Sequence, residues 1–167
     1  MISLILVSVF SFNMVEVGLG IGTNTPIGNI ERYFSAGASG SVYLAKELGK
    51  SKFILSYEKS NLAGVGQSTC QLQLDQVSFE YDHSVYNHEN WSLPIYLGIS
   101  NIWLKRKFQT LEEKGTVQAG DIGIGFLENI SRTRFGVKFF VSGLYSLSDT
   151  KNSAYIMGLK ITIGYVL

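Results

Sequence analysis

The densest group of residues capable of catalysis is a consecutive trio, Asp82, His83 and Ser84, with Asn87 and His88 shortly after it. These types can serve as nucleophile, base and orienting acid. Adjacent residues of a strand point to opposite faces, however, so His83 turns away from Asp82 and Ser84. We therefore expect no catalytic residue here, and a lipid-modifying membrane enzyme is the least favoured alternative.

The sequence contains no motif typical of a metal site, a disulfide or a nucleotide-binding site. Cys70 is the single cysteine, so no internal disulfide can form, and no Cys/His cluster has zinc-site spacing. Gly18, Gly20 and Gly22 alternate without a following helical pattern, unlike a phosphate-binding loop. The net charge of +1 gives no electrostatic reason for nucleic-acid binding. We expect no metal, no cofactor and no nucleic-acid partner.

Single charges within the apolar segments form a second group. They share the parity that Gly and Ser otherwise occupy, and both signs are present. The group comprises Glu16, Glu58, Glu80, Asp82, Asp121, Arg134, Lys138 and Lys160. Opposite charges can neutralise one another in a confined interior. The pattern predicts an internal charge network that plugs the fold.

A third group is basic and aromatic, and it falls in residues 101–120, which we expect to be a long external loop. Its members are Trp103, Lys105, Arg106, Lys107 and Phe108. Such side chains can hold anionic lipid headgroups or a partner protein. The alternative is a solvated loop with a short strand that continues out of the membrane.

Strands must position all three groups, because apolar residues alternate with small or polar ones from Val15 onward. The expected strands are 15–22, 34–44, 53–58, 71–85, 91–100, 121–126, 134–147 and 155–167. Asn24, Thr25 and Pro26 should stop the first strand. In the fourth, the apolar parity changes near Asp75 and Gln76, which predicts a β-bulge there.

The chemistry of the two strand faces indicates which solvent each face meets. A water-facing surface is normally dense in charge, but only 16% of this chain is charged and 46% is hydrophobic. The second face is mostly Gly and Ser, which suits a narrow interior. We expect an all-β, eight-stranded antiparallel up-and-down transmembrane barrel, closed, with its apolar face in lipid. A soluble lipocalin-like barrel is the alternative fold.

Connection lengths and the amino terminus complete the expected organisation. Connections 25–33, 61–70 and 101–120 are long, and 47–50, 86–90 and 129–133 are short. Long external loops and short periplasmic turns alternate in this way, and an even strand number puts both termini in the periplasm. Residues 1–13 fit an export signal or an uncleaved apolar segment. Residues 14–167 would form one barrel domain.

The carboxyl-terminal alternation resembles the last strand of outer-membrane barrels, with Leu159, Ile161, Ile163, Tyr165 and Leu167 on one face. Residues 93–98 are likewise similar to a middle strand of small bacterial outer-membrane β-barrel domain proteins. The resemblance implies the outer membrane as location, and its lipid and the barrel assembly machinery as partners. A protein partner at the external loops, or a larger membrane complex, also fits.

From these observations we expect a structural, adhesive or partner-binding membrane protein that acts through its external loops. A narrow pore or transporter for small solutes is the alternative function.

Overall fold

The alternating segments fold into a single closed sheet. The computed structural model describes residues 15–66, 70–108, 111–145 and 154–167. All strand pairs are antiparallel between sequence neighbours, and the last strand closes on the first. The strands are β1 Val15–Gly28, β2 Gly37–Leu48, β3 Ser51–Ala63, β4 Cys70–His88, β5 Trp91–Phe108, β6 Leu111–Ile130, β7 Thr133–Tyr145 and β8 Ala154–Val166. The structure confirms the predicted eight-stranded barrel.

Each strand turns an apolar face outward and a polar face toward the barrel axis. Ile21 and Ile99 are each 69% exposed, whereas Glu16 and Asp82 are each 3% exposed. A soluble barrel would bury its apolar face instead. The inverted distribution is that of a barrel whose outer surface meets lipid, and the lipocalin-like alternative does not fit it. Among the described residues, no helix is long and apolar enough to cross a membrane.

The two ends of the barrel differ. At one, which we call the turn end, two-residue turns occupy 49–50, 89–90 and 131–132. The first residue of each turn has a positive φ: 65° at Gly49, 45° at Glu89 and 59° at Ser131. Glycine adopts this conformation most readily, because it has no Cβ. The opposite end, which we call the loop end, has the connections 29–36, 64–69, 109–110 and 146–153.

Strand β1 is longer than the sequence predicts. Instead of stopping at Asn24, Thr25 and Pro26, it runs to Gly28. Its pairing with β2 ends at Asn24, and beyond that point it pairs only with β8, where Pro26 lies opposite Ile156. Proline is tolerated where a strand has lost one of its two ladder partners. Pro26 therefore marks the end of one pairing and not the end of the strand.

The β-bulge predicted near Asp75 and Gln76 is wrong. Strand β4 pairs without interruption through both residues, and its register shift lies between Ser84 and Tyr86 instead. Leu72 and Leu74 are buried and point inward, on the same parity as the polar residues that follow. The parity of the apolar residues changes because the interior itself is apolar near the loop end.

One predicted loop is largely strand, and a second one begins as strand. The segment 101–120 forms the outer parts of β5 and β6, so the connection is only 109–110, and β3 extends through Asn61 to Ala63. Strands β4, β5 and β6 have 19, 18 and 20 residues, against 12 to 14 in the other strands. These three strands form a raised sheet at the loop end.

Candidate functional site: the sealed lumen and the raised sheet

The structure places all eight of the predicted lumen charges on the inner face of the barrel. Glu16 lies at one centre of this network: its carboxylate is 2.8 Å from Nζ of Lys52 and 3.1 Å from Nη1 of Arg134. Arg134 also pairs with Glu47. Two further pairs join Lys138 to Glu80 and Lys160 to Glu58. Asp82 and Asp121 are buried beside these pairs and form no ion pair within the described ranges.

Several members of this network were missed from the sequence. Lys52 was overlooked because the third strand was expected to begin one residue later, and Glu47 because it was assigned to a turn. Asn24 was treated as a strand breaker, yet its Nδ2 donates to Glu58 at 2.9 Å and to Ser60 at 2.6 Å. Extending the alternation of inward and outward residues past the expected strand ends would have identified Asn24, Glu47 and Lys52 as inward residues.

Aromatic rings fill the space that the inner glycines leave. The Tyr43 hydroxyl donates to Glu16 at 2.7 Å. An added Cβ would overlap the Tyr43 ring at Gly18, and the Glu16 carboxylate and Tyr43 hydroxyl at Gly164. Tyr96 likewise covers Gly125, and Nζ of Lys138 lies 4.3 Å from the centre of its ring. The inner glycines therefore leave the space that the bulky interior side chains occupy.

An apolar cluster closes the interior near the loop end. Its buried members are Phe34, Leu62, Leu72, Leu74, Ile102, Ala119 and Ile156. Below it, the cavity among Tyr43, Lys52, Glu80 and Lys160 has a volume of only about 40 Å³, which is room for no more than a few water molecules. The lumen is therefore closed by two different layers, one ionic and one apolar, whereas the sequence indicated only the ionic one.

The five predicted binding-loop residues lie on β5 and not in a loop, so they alternate between two faces. Trp103, Lys105 and Lys107 share the outward parity, while Arg106 and Phe108 have the inward one. The structure therefore does not bring the five residues together on one surface.

Two glutamates neutralise part of this basic group, and both were missed from the sequence. Glu112 lies 3.1 Å from Nζ of Lys105 and 3.3 Å from Nζ of Lys114, and Glu113 lies 2.7 Å from Arg106. The hydrogen bond from Lys105 lowers the pKa of Glu112, and Lys114 adds to this effect.

The Asp82, His83 and Ser84 trio is split between the two faces, as the strand geometry requires. Asp82 is buried in the lumen. The His83 ring stacks on Tyr81 with centroids 6.3 Å apart, and its Nδ1 is 3.2 Å from the hydroxyl oxygen of Ser51. Asp82 therefore cannot act as the acid of a triad with His83, because the two side chains lie on opposite faces of β4.

Solved structures of similar fold include a bacterial surface protein and a major outer membrane protein. Neisserial surface protein A matches with a TM-score of 0.73 and 8% identity, over 90% of this chain and 96% of the other. The fold is that of a small outer-membrane β-barrel. Ail, the attachment invasion locus protein of Yersinia pestis, in complex with the heparin analogue sucrose octasulfate, matches with a TM-score of 0.64 and 13% identity, over 93% of this chain and 100% of Ail.

The N-terminal β-barrel domain of Pseudomonas aeruginosa OprF matches with a TM-score of 0.53 and 16% identity, over 92% of this chain and 98% of that domain. No protein-family model matches the chain, and no curated protein matches its sequence. At such low identities the likeness concerns the fold alone.

Proposed function

We propose that this protein is a non-conducting outer-membrane barrel that presents its raised sheet at the cell surface, for adhesion or for binding a partner. The observation behind the proposal is the double closure of the lumen. A pore needs a continuous wet path, whereas here paired charges and an apolar cluster occupy the cross-section. A narrow pore, the alternative function, would require both layers to open.

The energetic cost of opening supports this preference. Separating a buried ion pair leaves an uncompensated charge and costs about 3–5 kcal/mol. Opening a path along the axis would disturb the Glu58–Lys160 and Glu80–Lys138 pairs and would also wet the side chains of Leu74 and Ile102. We therefore favour a structural and binding role over conduction.

The loop end offers the binding surface. A pocket of about 350 Å³ lies there, and its lining includes Arg32, Tyr33, Phe108, and Arg106 with its partner Glu113. Aromatic and arginine side chains are the types enriched where proteins bind partners. The bound heparin analogue of Ail supports an anionic partner for a barrel of this fold.

Orientation follows from the shape of the two ends. Outer-membrane barrels have short periplasmic turns and longer external segments. The two-residue turns would then face the periplasm together with both chain ends, and the raised sheet would face outward. Such a barrel meets outer-membrane lipid on all sides and is inserted by the barrel assembly machinery.

Cys70 provides the test of this proposal, because it is the only cysteine and begins β4 at the loop end, where it is partly exposed. We expect a maleimide coupled to 5-kDa polyethylene glycol to label Cys70 on intact cells. In the control, C70S/S131C moves the thiol to the turn end, where labelling should require a permeabilised outer membrane. Labelling of Cys70 only after permeabilisation would contradict surface presentation.

A further inference from the structure

A groove of about 340 Å³ lies on the outer face of the raised sheet, and we call it the outer groove. Its lining includes Asp75, Trp103, Lys105, Lys114 and Thr116. Trp103 lies between Asp75 and Thr116 on the adjacent strands, and Lys105 lies directly opposite Lys114. The groove thus has an aromatic floor on the barrel side and two ammonium groups on the side of the loop end.

The two lysines form a like-charge pair, and such pairs directly opposite one another destabilise a sheet. Glu112 is the carboxylate that contacts both ammonium groups, so one negative charge is shared between two positive ones. Asp75 is turned to Tyr57, whose hydroxyl donates to it at 2.8 Å, and to Nζ of Lys59 at 3.9 Å. The outer groove therefore keeps an excess of positive charge that an anion would balance.

The height of the groove follows from the positions of the two tryptophans on β5. Trp91 and Trp103 share the outward parity and are separated by twelve residue steps, or about 41 Å along a strand. A tilt of about 40° reduces this to roughly 31 Å across the membrane, which matches an apolar band of about 25 Å with an aromatic girdle on each side. Trp103 therefore lies at the membrane surface of the loop end.

Lys105 lies two residues beyond Trp103, about 5 Å higher across the membrane after the same tilt correction. This is the level just above the aromatic girdle, where lipid phosphates lie. Below Trp103, Asn101 and the 69% exposed Ile99 continue the same outward face. A ligand with a phosphate above and an acyl chain below would satisfy both parts of the surface.

We propose that the outer groove binds the phosphate headgroup of an anionic lipid in the leaflet at the loop end, with Lys105 and Lys114 as its ligands. This proposal rests on the proposed function, since it needs the barrel in a membrane. A lipid fits better than soluble phosphate because the charged groups stand directly above the apolar band. The headgroup would also relieve the repulsion between the two lysines.

Trp103 reports on the lipid beside it. In W91F it is the only tryptophan, and bromine on a lipid acyl chain quenches its fluorescence on contact. We would reconstitute W91F into vesicles that contain brominated phosphatidylglycerol or brominated phosphatidylcholine. One excess charge contributes about 1 kcal/mol near a membrane surface, so we expect the anionic lipid to be enriched roughly fivefold beside Trp103.

Two double variants, made in W91F, have matched losses of charge. In K105Q/K114Q the groove keeps the negative charge of Glu112 without either lysine, so the enrichment should fall below one. K50Q/R132Q also removes two cations, but from exposed positions in two turns of the turn end, at the other leaflet, and it should keep the fivefold value. Equal quenching by the two lipids in W91F, or unchanged enrichment in K105Q/K114Q, would overturn the proposal.

A gain of affinity is expected in E112Q, also made in W91F. Both lysines lose their shared counter-charge, so enrichment of the anionic lipid should rise by roughly another fivefold. Inorganic phosphate, added at constant ionic strength, should leave the enrichment unchanged; displacement by it would indicate a soluble ligand and overturn the assignment to lipid. No quenching by either lipid would show that the barrel does not insert, which contradicts the proposed function as well.

Discussion

At the scale of single residues, the lumen shows how charge is kept inside a barrel wall. Each paired lysine of the ionic layer contacts a glutamate from another strand, and neutral groups such as Asn24 add hydrogen bonds. Taken out of water, these charges are stable only together, because removing one partner leaves the other without compensation. The lumen charges therefore act as pairs.

Lys160→Met tests this dependence. It leaves Glu58 buried without its cation, so we expect the free energy of unfolding to fall by about 3–5 kcal/mol. E58Q/K160M should recover a large part of this loss, because the remaining amide carries no charge. Lys59→Met is the matched control. Lys59 follows Glu58 in the sequence, but it is exposed and its Nζ is 3.9 Å from Asp75, so its loss should cost no more than about 0.5 kcal/mol.

Reversible urea unfolding in lipid vesicles would measure all three variants. Equal losses in Lys160→Met and Lys59→Met would contradict a buried pair in the lumen.

At the scale of elements, the turns and the strand ends carry most of the information on register. The turn end uses positive φ values to reverse the chain in two residues. We expect Gly49→Ala to destabilise the barrel by about 1 kcal/mol, because φ is 65° at Gly49 and a Cβ is unfavourable there. Gly40→Ala is the control, since Gly40 lies within β2 and an added Cβ would meet no atom within 4 Å.

Chemical denaturation of the two alanine variants side by side gives the comparison. A loss at Gly40 as large as that at Gly49 would contradict the turn conformation as the cause, because the lower entropy of the unfolded alanine chain by itself stabilises the fold.

Parity was predictable from the sequence, but strand ends were not. The alternation of Gly and Ser with apolar residues identified the inner face, and with it Glu16 and Lys160. The prediction that Pro26 ends β1 was wrong because the effect of a proline depends on which neighbouring strands pair with it. The sequence of β1 alone does not show that only β8 pairs there. Leu72 and Leu74 were misread because an apolar residue fits lipid and a dry interior equally well.

The placement of the candidate binding residues in a loop was wrong for a related reason. A basic and aromatic stretch suggested a loop, yet its residues continue the two-residue period of β5 and pair with β6. The partners Glu112 and Glu113 belong to the far side of the hairpin, so their effect on Lys105 and Arg106 depends on register alone. Once the hairpin is closed, the outer and inner faces of the raised sheet differ in charge and in neighbours.

At the scale of the whole molecule, the barrel is inverted relative to a soluble protein and is closed along its axis. Its outer surface is apolar between two aromatic levels, its interior is ionic toward the turn end, and an apolar cluster lies toward the loop end. In the proposed function, such a barrel would present a surface at the membrane without conducting ions. Lipid binding at the outer groove would fix the height of the raised sheet above that membrane.

Conductance across a planar lipid bilayer tests the closed lumen most directly. Folding and insertion would first be verified by heat-modifiable migration on a gel, so that an absence of current could not be caused by unfolded protein. We predict no steady channel activity in 1 M KCl from the inserted barrel. Stable openings of uniform size would contradict it, because ions could then pass both the paired charges and the apolar cluster.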